Sequence, residues 1–381
     1  MNIALATSTY LPYTMSWIHR QLIAYNRGES VVLCQSRENE ETFPIDTAYS
    51  FGEEAYWSKA LKAKFGFWFG RRPIKMPAQQ KREIKKLFEK HEIQLLHVHF
   101  GTYAIYFAKL CQELNIPLLV TFHGHDISSA LERWPAYKQA FPSLLGDITS
   151  AIVISEEMKE RLLKLGCPEE KIKVSYLGVP LDDFPFFERL HKKEKTIFLH
   201  AGRLTAKKGV PDLVKAFHAA FGSDNLAAEL WIAGDGEERT VVEKTIQELD
   251  LSKSVKMLGR LEHDELIEAR NKADVFVLNC RTDHVGTKEG LPISTLEAAA
   301  TGLPAISTYH AGIPESIIDG KTGFLVQEYD TAGFAEAMQR LTNTQLRKEM
   351  GRKARAFMEA KFDLEDCNEV LYQIYKEAVQ L

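Results

Sequence analysis

Hydrophobic positions along the 381-residue chain fall into two arrangements that alternate from end to end. Short apolar runs bounded by polar or glycine residues read as buried strands. Stretches with apolar residues three and four apart read as amphipathic helices. In the first half, strands are expected at 3–7, 31–34, 95–99, 117–122, 151–155 and 172–177, with helices at 16–25, 104–114 and 156–165. A second series places strands at 197–201, 229–233, 255–258, 275–278, 305–307 and 323–326, again with helices between. Strands alternating with helices predict parallel, doubly wound sheets.

Residues 178–195 break the rhythm. Gly178, Pro180, Asp182, Asp183 and Pro185 give way to Arg189, His191, Lys192, Lys193 and Lys195, the composition of a linker. The expected division is therefore 1–180 and 181–362, each Rossmann-like, with a cleft lined by the carboxyl ends of both sheets. A last helix at 364–379 has apolar positions at Leu364, Val370, Leu371, Ile374, Tyr375 and Ala378. Segment 363–381 is expected to fold back on the first domain.

Composition narrows the class. With 45% hydrophobic and 26% charged residues, the chain is ordinary globular protein, and a net charge of −4 argues against a general nucleic-acid binder. The cysteines Cys34, Cys111, Cys167, Cys280 and Cys367 are scattered without a CxxC pair, which fits a reducing compartment and no structural zinc. No apolar run reaches the roughly 18 residues of a membrane span. The N-terminus lacks the pattern of a secretory signal, so a cytoplasmic location is expected.

One segment departs from this average. Residues 57–90 hold eleven Lys or Arg against Glu83 and Glu89, interleaved with Trp57, Phe65, Phe67, Trp68 and Phe69. Basic side chains beside aromatics suit an anionic membrane face, and peripheral attachment at the inner side of the cytoplasmic membrane is the expectation. The alternative is a solvated helix face and a loop whose aromatics dock on the core.

Candidate chemistry gathers at strand ends. Residues 289–302 read as a loop feeding a short helix, with Pro292 suited to its first position and Gly302 to the position past its end. Such a helix aims free N–H groups and a positive dipole at the carboxyl edge of a sheet, where phosphates bind. Glu289 and Glu297 would repel a bare phosphate. They make sense if the ligand also carries hydroxyls, as a phosphorylated sugar or ribonucleotide does. Gly202, Arg203, Lys207, Lys208 and Gly209 follow the first strand of the second domain, where a close backbone approach and cations suit a diphosphate. In the first domain, Thr121, Phe122, His123, Gly124, His125 and Asp126 end a strand, and His97 and His99 point to one side of theirs. His123 can donate to a sugar hydroxyl or a phosphate. Capping by Asp126 beside satisfied surface histidines is the plainer alternative. There is no GxSxG elbow, no GxxxxGK[ST] loop and no GxGxxG after the first strand, so hydrolase, kinase and NAD readings lack support.

Taken together, these stretches resemble the family-4 retaining glycosyltransferases of GT-B fold. The resemblance rests on Glu289 and Glu297 with seven residues between them in the signature, the turn at 202–209, and Thr121-Phe122-His123-Gly124. Residues 310–315 and 319–326 add to it. His97, His99-Phe100-Gly101 and His123-Gly124 with Asp126 further resemble the branch that builds bacterial exopolysaccharide or lipopolysaccharide. The resemblance implies transfer of a sugar from a nucleotide donor, a UDP- or GDP-sugar, to a hydroxyl of a glycan or lipid-linked acceptor. The anomeric configuration would be retained, with no metal and no other cofactor.

It also implies roles. Arg203 and Lys208 would hold the diphosphate beside Gly202, and Glu297 the ribose hydroxyls. Glu289 would lie near the donor sugar, and the N–H groups of Gly290, Leu291 and Ile293, around Pro292, near its hydroxyls and the distal phosphate. The segment around Leu258 would meet the base. His123 would contact the donor sugar from the first domain, and Thr14, His99 and Asp126 would lie on the acceptor side. Glu289, His123, Arg203 and Lys208 are thus the candidate catalytic set. The first loop, 8–14, lacks the glycines that many relatives place there, and the loop 281–288 is individual and a candidate for shaping sugar choice. A soluble transferase acting on a small acceptor and a non-catalytic nucleotide-sugar-binding subunit are the two alternatives.

Overall fold

The structure, a computed structural model, describes residues 1–10, 16–23, 28–42, 44–51, 76–189, 194–224 and 226–380. The chain forms two compact units, one of residues 1–177 and 365–381, the other of residues 178–364.

The first unit is built on seven parallel strands: β1 (Ile3–Tyr10), β2 (Ser30–Arg37), β3 (Ala48–Ser50), β4 (Leu95–His99), β5 (Leu118–Phe122), β6 (Ser150–Val153) and β7 (Ile172–Val174). Their order is β3-β2-β1-β4-β5-β6-β7. Every residue of β4, β5 and β6 is buried, as expected when helices cover both faces of a parallel sheet. The helix Leu364–Gln380 closes one face, packing Leu371, Ile374, Tyr375 and Ala378 on Ile3, Leu95, Leu119 and Ile152. Val370, expected on that stripe, is exposed, because 371, 374, 375 and 378 already fill the inward-facing positions.

The second unit holds β8 (Thr196–Ala201), β9 (Ala228–Ala233), β10 (Val255–Gly259), β11 (Val275–Leu278), β12 (Ala305–Thr308) and β13 (Gly323–Val326), in the order β10-β9-β8-β11-β12-β13. Adjacent residues of one strand serve opposite faces. Phe198, Leu230, Val277 and Ile306 enter one core cluster, and Leu199, Phe276, Leu278 and Ala305 the other. In both sheets the strand order reverses between the first and fourth strands of the unit. The carboxyl side of that reversal is where open α/β sheets form ligand crevices.

Local chemistry shifts several expected elements. The helix expected at 104–114 is two, Gly101–Ala104 and Ala108–Leu114. The first starts directly from the end of β4, where Phe100 adopts φ +72°. Ser155 ends no strand. Its hydroxyl accepts from Met158 N–H and caps the helix Glu156–Lys164. Strand β1 runs three residues longer than expected, to Tyr10, whose ring is buried.

Of the segment read as a linker, residues 178–189 form a packed strap on the second unit. Phe184 is fully buried, and the Arg189 guanidinium donates to the carbonyls of Ala273 (2.7 Å), Arg270 (3.0 Å) and Thr301 (3.0 Å). Those carbonyls lie at the C-terminal ends of the helices His263–Lys272 and Ile293–Ala300, where backbone acceptors are left over. Glycine, proline and charge announced the lack of regular structure there, but not the packing.

Of the segment 57–90 that carries the membrane reading, residues 57–75 lie outside the described residues. The helix Ala78–Lys90 buries Ile84 and Phe88 and turns Lys81 and Lys85 to Glu113. Among the described residues no helix is long and apolar enough to cross a membrane.

Candidate active site

In the second unit, two loops leave the carboxyl ends of adjacent strands at the order reversal. After β8 the chain turns through Gly202 and Arg203 to Lys207, Lys208 and Gly209. After β11 it runs through residues 279–292 into the helix Ile293–Ala300. The first loop is tied to a Gly-Asp-Gly turn after β9. Gly202 N–H donates to Ala233 O (3.0 Å), Leu204 N–H to Asp235 O (2.9 Å), and Glu238 N–H back to Leu204 O (2.9 Å). The contact is so close that a Cβ on Gly234, at φ +143°, would lie 1.9 Å from Gly202 O. Gly209, at φ +58°, likewise lets the loop meet the other: Asn279 Nδ2 donates to its carbonyl (3.2 Å).

These turns bring Lys207 and Lys208 onto one carboxylate. Both Nζ atoms lie 3.0 Å from Glu289 Oε1, and all three side chains are nearly buried. Burial alone would raise the Glu289 pKa, but the two ammonium groups outweigh it and hold the carboxyl well below the usual carboxylate range. Lys208 is correspondingly kept charged against its own burial. Beneath it His200, buried and close to that ammonium, has its pKa lowered to about 4 and stays neutral. Arg203 stands exposed on the same loop.

The Glu289 backbone is held too. Its N–H donates to His310 Nε2 (3.0 Å), and Gly290 O accepts from Gly312 N–H (3.0 Å). Gly290, Leu291 and Pro292 are buried and Ile293 half-buried. Pro292 is the residue before the helix, with ψ 115°, rather than its first position. Gly302 sits just past the helix end at φ +78°. Glu297, in the second turn, pairs with Arg270, whose side chain is 1% exposed and lies 5.4 Å over the Phe184 ring. Leu258, half-buried, is near the carboxyl end of β10.

In the first unit, His99 and His123 are brought side by side. His99 Nδ1 lies 3.1 Å from His123 Nε2, and the Trp17 ring stands 5.3 Å and 4.7 Å from theirs. His97 shares their side of the sheet, 4.6 Å from His99 between ring centroids, and hydrogen-bonds Tyr375 Oη (2.7 Å) and Thr121 Oγ1 (2.6 Å). Burial lowers the pKa of His97 and of His123 to about 3, so both are neutral near pH 7. Asp126 is fully buried, and its carboxylate accepts the N–H groups of Gly101 (2.9 Å), His123 (3.0 Å) and Gly124 (3.1 Å). It organises the turn that presents His123. Burial nonetheless pushes its pKa up to about 6. Thr14 lies outside the described residues.

Comparison with known proteins bears on this arrangement. The model for glycosyl transferases group 1 matches residues 182–357, and that for glycosyltransferase family 4 matches residues 20–183. The chain is 35% identical to a GDP-mannose-dependent monoacylated alpha-(1-6)-phosphatidylinositol monomannoside mannosyltransferase of Corynebacterium glutamicum, over 93% of this chain and 92% of that one. The chain belongs to the family-4 glycosyltransferases.

It is also 32% identical, over 64% of its length, to the amylovoran biosynthesis glycosyltransferase AmsK of Erwinia amylovora, and that match spans 60% of AmsK. This glycosyltransferase chain superposes on HepE of Anabaena, solved in complex with UDP and glucose, with a TM-score of 0.79. The superposition covers 99% of this chain and 100% of that one at 17% identity, and the fold is GT-B.

Three partners escaped the sequence reading: Lys207 on Glu289, His310 on the Glu289 backbone, and Arg270 on Glu297. Lys207 stood beside Lys208 in the motif, and His310 opens the segment 310–315. Arg270 carried no signal, since a basic residue late in a polar helix is usually solvated. Among the described residues no three His, Cys, Asp or Glu side chains are grouped to hold a metal ion.

Proposed function

We propose that this glycosyltransferase moves a sugar from a UDP- or GDP-sugar to a hydroxyl of a glycan or lipid-linked acceptor in bacterial cell-surface polysaccharide synthesis, with retention of anomeric configuration. The observation that carries the reading is the meeting of Lys207, Lys208 and Glu289 where two loops leave the sheet at its order reversal. Relatives named for amylovoran synthesis and for a GDP-mannose-dependent transfer support the pathway class.

Cleaving a sugar–phosphate bond leaves negative charge on the phosphate and positive charge on the sugar ring. Lys208, Lys207, Arg203 and the N–H groups opening the helix Ile293–Ala300 stabilise the first. These groups do what a divalent ion does in other transferases, so no metal is required. Glu289, ionised and close to these cations, is too weakly basic to take the acceptor proton. Its carboxylate orients the lysines and faces the positive charge developing on the ring. The leaving phosphate itself takes the proton in a front-face transfer. Glu297 accepts from the ribose hydroxyls, Leu258 borders the base, and His123 donates to the sugar. Thr14, His99 and Asp126 belong to the acceptor side, and residues 57–90 attach the protein to anionic membrane at the cytoplasmic face.

Purified protein incubated with UDP-, GDP-, ADP- and dTDP-sugars is expected to release nucleotide from one or two of them. Lys208→Ala should reduce that release on the order of 10²-fold, the usual cost of one electrostatic donor. NMR of the product reads the anomeric configuration. Undiminished release by Lys208→Ala would overturn the phosphate assignment, and an inverted product the retaining one.

A further inference from the structure

The loop that delivers Glu289 is anchored at both ends by one residue from another part of the chain. Glu328 stands two residues past β13. Its Oε2 accepts the N–H of Thr282 at 2.8 Å, at the start of the loop, and its Oε1 also lies 3.4 Å from Thr282 Oγ1. The same Oε1 lies 2.6 Å from His310 Nδ1, and His310 Nε2 receives the N–H of Glu289 at 3.0 Å, at the end of the loop. The next residue, Tyr329, at φ +67°, donates its hydroxyl to Thr282 O. Between the anchors, Asp283 Oδ1 accepts from Val285 N–H (3.0 Å) and Thr287 N–H (2.7 Å).

The hydrogen-bond directions leave one arrangement. A backbone N–H only donates, so His310 Nε2 is bare and its proton is on Nδ1, donated to the Glu328 carboxylate. Burial favours this neutral imidazole, and Glu328, Glu289 and Lys288 are the charged groups near it. A histidine whose outer nitrogen is fixed by a carboxylate is an orienting device in its own right.

We propose that Glu328 is a positioning residue for sugar transfer: through Thr282 at one end and His310 at the other, it fixes the loop 282–289 so that the Glu289 carboxylate meets the donor sugar. Glu328 touches neither Lys207 nor Lys208, and it acts on where the sugar is held rather than on how tightly the diphosphate binds. The inference rests on the transfer reaction proposed above, but its first test does not.

In the unliganded protein, long-range ¹H–¹⁵N spectra are expected to show His310 as the Nδ1–H form, with a far-downfield, slowly exchanging proton. Glu328→Ala should move that proton upfield and speed its exchange. An Nε2–H form, or a signal that Glu328→Ala leaves unmoved, would overturn the proposal. The second test uses the donor identified by the nucleotide-release panel. Displacing a positioned group by about 1 Å costs on the order of 10² in rate, so Glu328→Ala should lose turnover on that scale. Binding of the bare nucleoside diphosphate should fall far less than turnover. Equal loss of both would make Glu328 a general structural residue and sink the positioning role. Glu328→Gln guards against misfolding: it keeps an acceptor for His310 but sets an amide N–H₂ near the Thr282 N–H. Smaller losses in the same pattern are expected, and full native turnover in Gln and Ala variants alike would refute the proposal. If the native protein turns over no nucleotide sugar, the transfer reading fails while the His310 spectrum still decides the anchor.

Discussion

The Nζ of Lys208 lies 3.0 Å from Oε1 of Glu289, and the two side chains are 10% and 13% exposed. The lysine proposed for phosphate is thus already neutralised by the carboxylate beside it, with Lys207 making up the second cation. The pair is a prepared site. On the function proposed above, an incoming diphosphate would meet lysines fixed in place, with Glu289 keeping their charges from being stranded in a desolvated pocket.

Removing Lys208 should therefore cost stability as well as chemistry. A hydrogen bond to a charged group contributes about 1.5–3 kcal/mol, and Lys208→Ala should lose that much in urea unfolding at pH 7. The folded pKa of Glu289 is depressed, so its stabilisation is present at neutral pH and fades as pH falls below about 4.5. In Lys208→Ala that acid-dependent part should shrink. An identical acid profile in the two proteins would contradict the coupling.

Glu297 offers a trap for mutagenesis. Glu297→Ala leaves Arg270 charged with 1% of its side chain exposed, and breaking a buried pair costs about 3–5 kcal/mol. Lost activity in that variant would say little about ribose. Deoxy nucleotides with the native protein test the ribose grip directly. Losing one hydrogen bond to a carboxylate should weaken binding of the 2′- or 3′-deoxy diphosphate roughly 10- to 10²-fold. Unchanged affinity for both analogues would remove Glu297 from the ribose.

Two glycines of the same unit separate close packing from backbone strain. At Gly259, with φ +71° and open space around a Cβ, Gly259→Ala should cost about 1–2 kcal/mol, the left-handed penalty alone. At Gly234 the new Cβ would also collide with Gly202 O, so Gly234→Ala should lose clearly more stability and weaken nucleotide binding. Urea unfolding compares them, and equal losses would show that the turn after β9 yields without disturbing Gly202.

The histidines of the first unit should make the protein acid-sensitive. His97 and His123 have folded pKa values lowered to about 3, and His99 is also lowered, by burial first and then by its two histidine neighbours. The unfolded chain binds protons at these sites below about pH 6.5 while the folded chain does not, so stability falls as pH drops through that value. Each such group contributes up to about 1.4 kcal/mol per pH unit. His99→Asn keeps a side-chain donor near His123 Nε2 and should reduce the slope of stability between pH 6.5 and 5 by about that amount. An unaltered slope would mean that His99 does not titrate as described.

The order of elements was legible in the sequence because buried parallel strands and amphipathic helices write their periods locally. The runs 95–99, 275–278 and 323–326 coincide with β4, β11 and β13 to the residue. The make-up of the candidate site was legible in part. Glycines and cations after β8, and two glutamates around a helix start after β11, point to an anion with hydroxyls as the ligand, whatever lies between them in the chain. Tertiary structure alone decided who neutralises whom. Arg270 meets Glu297 across 27 residues, and Glu328 reaches Thr282 across 46 and His310 across 18. Such pairs have no period to betray them. They depend on which strand ends the order β8-β11-β12-β13 sets side by side, and that order follows from burying both faces of the sheet at once.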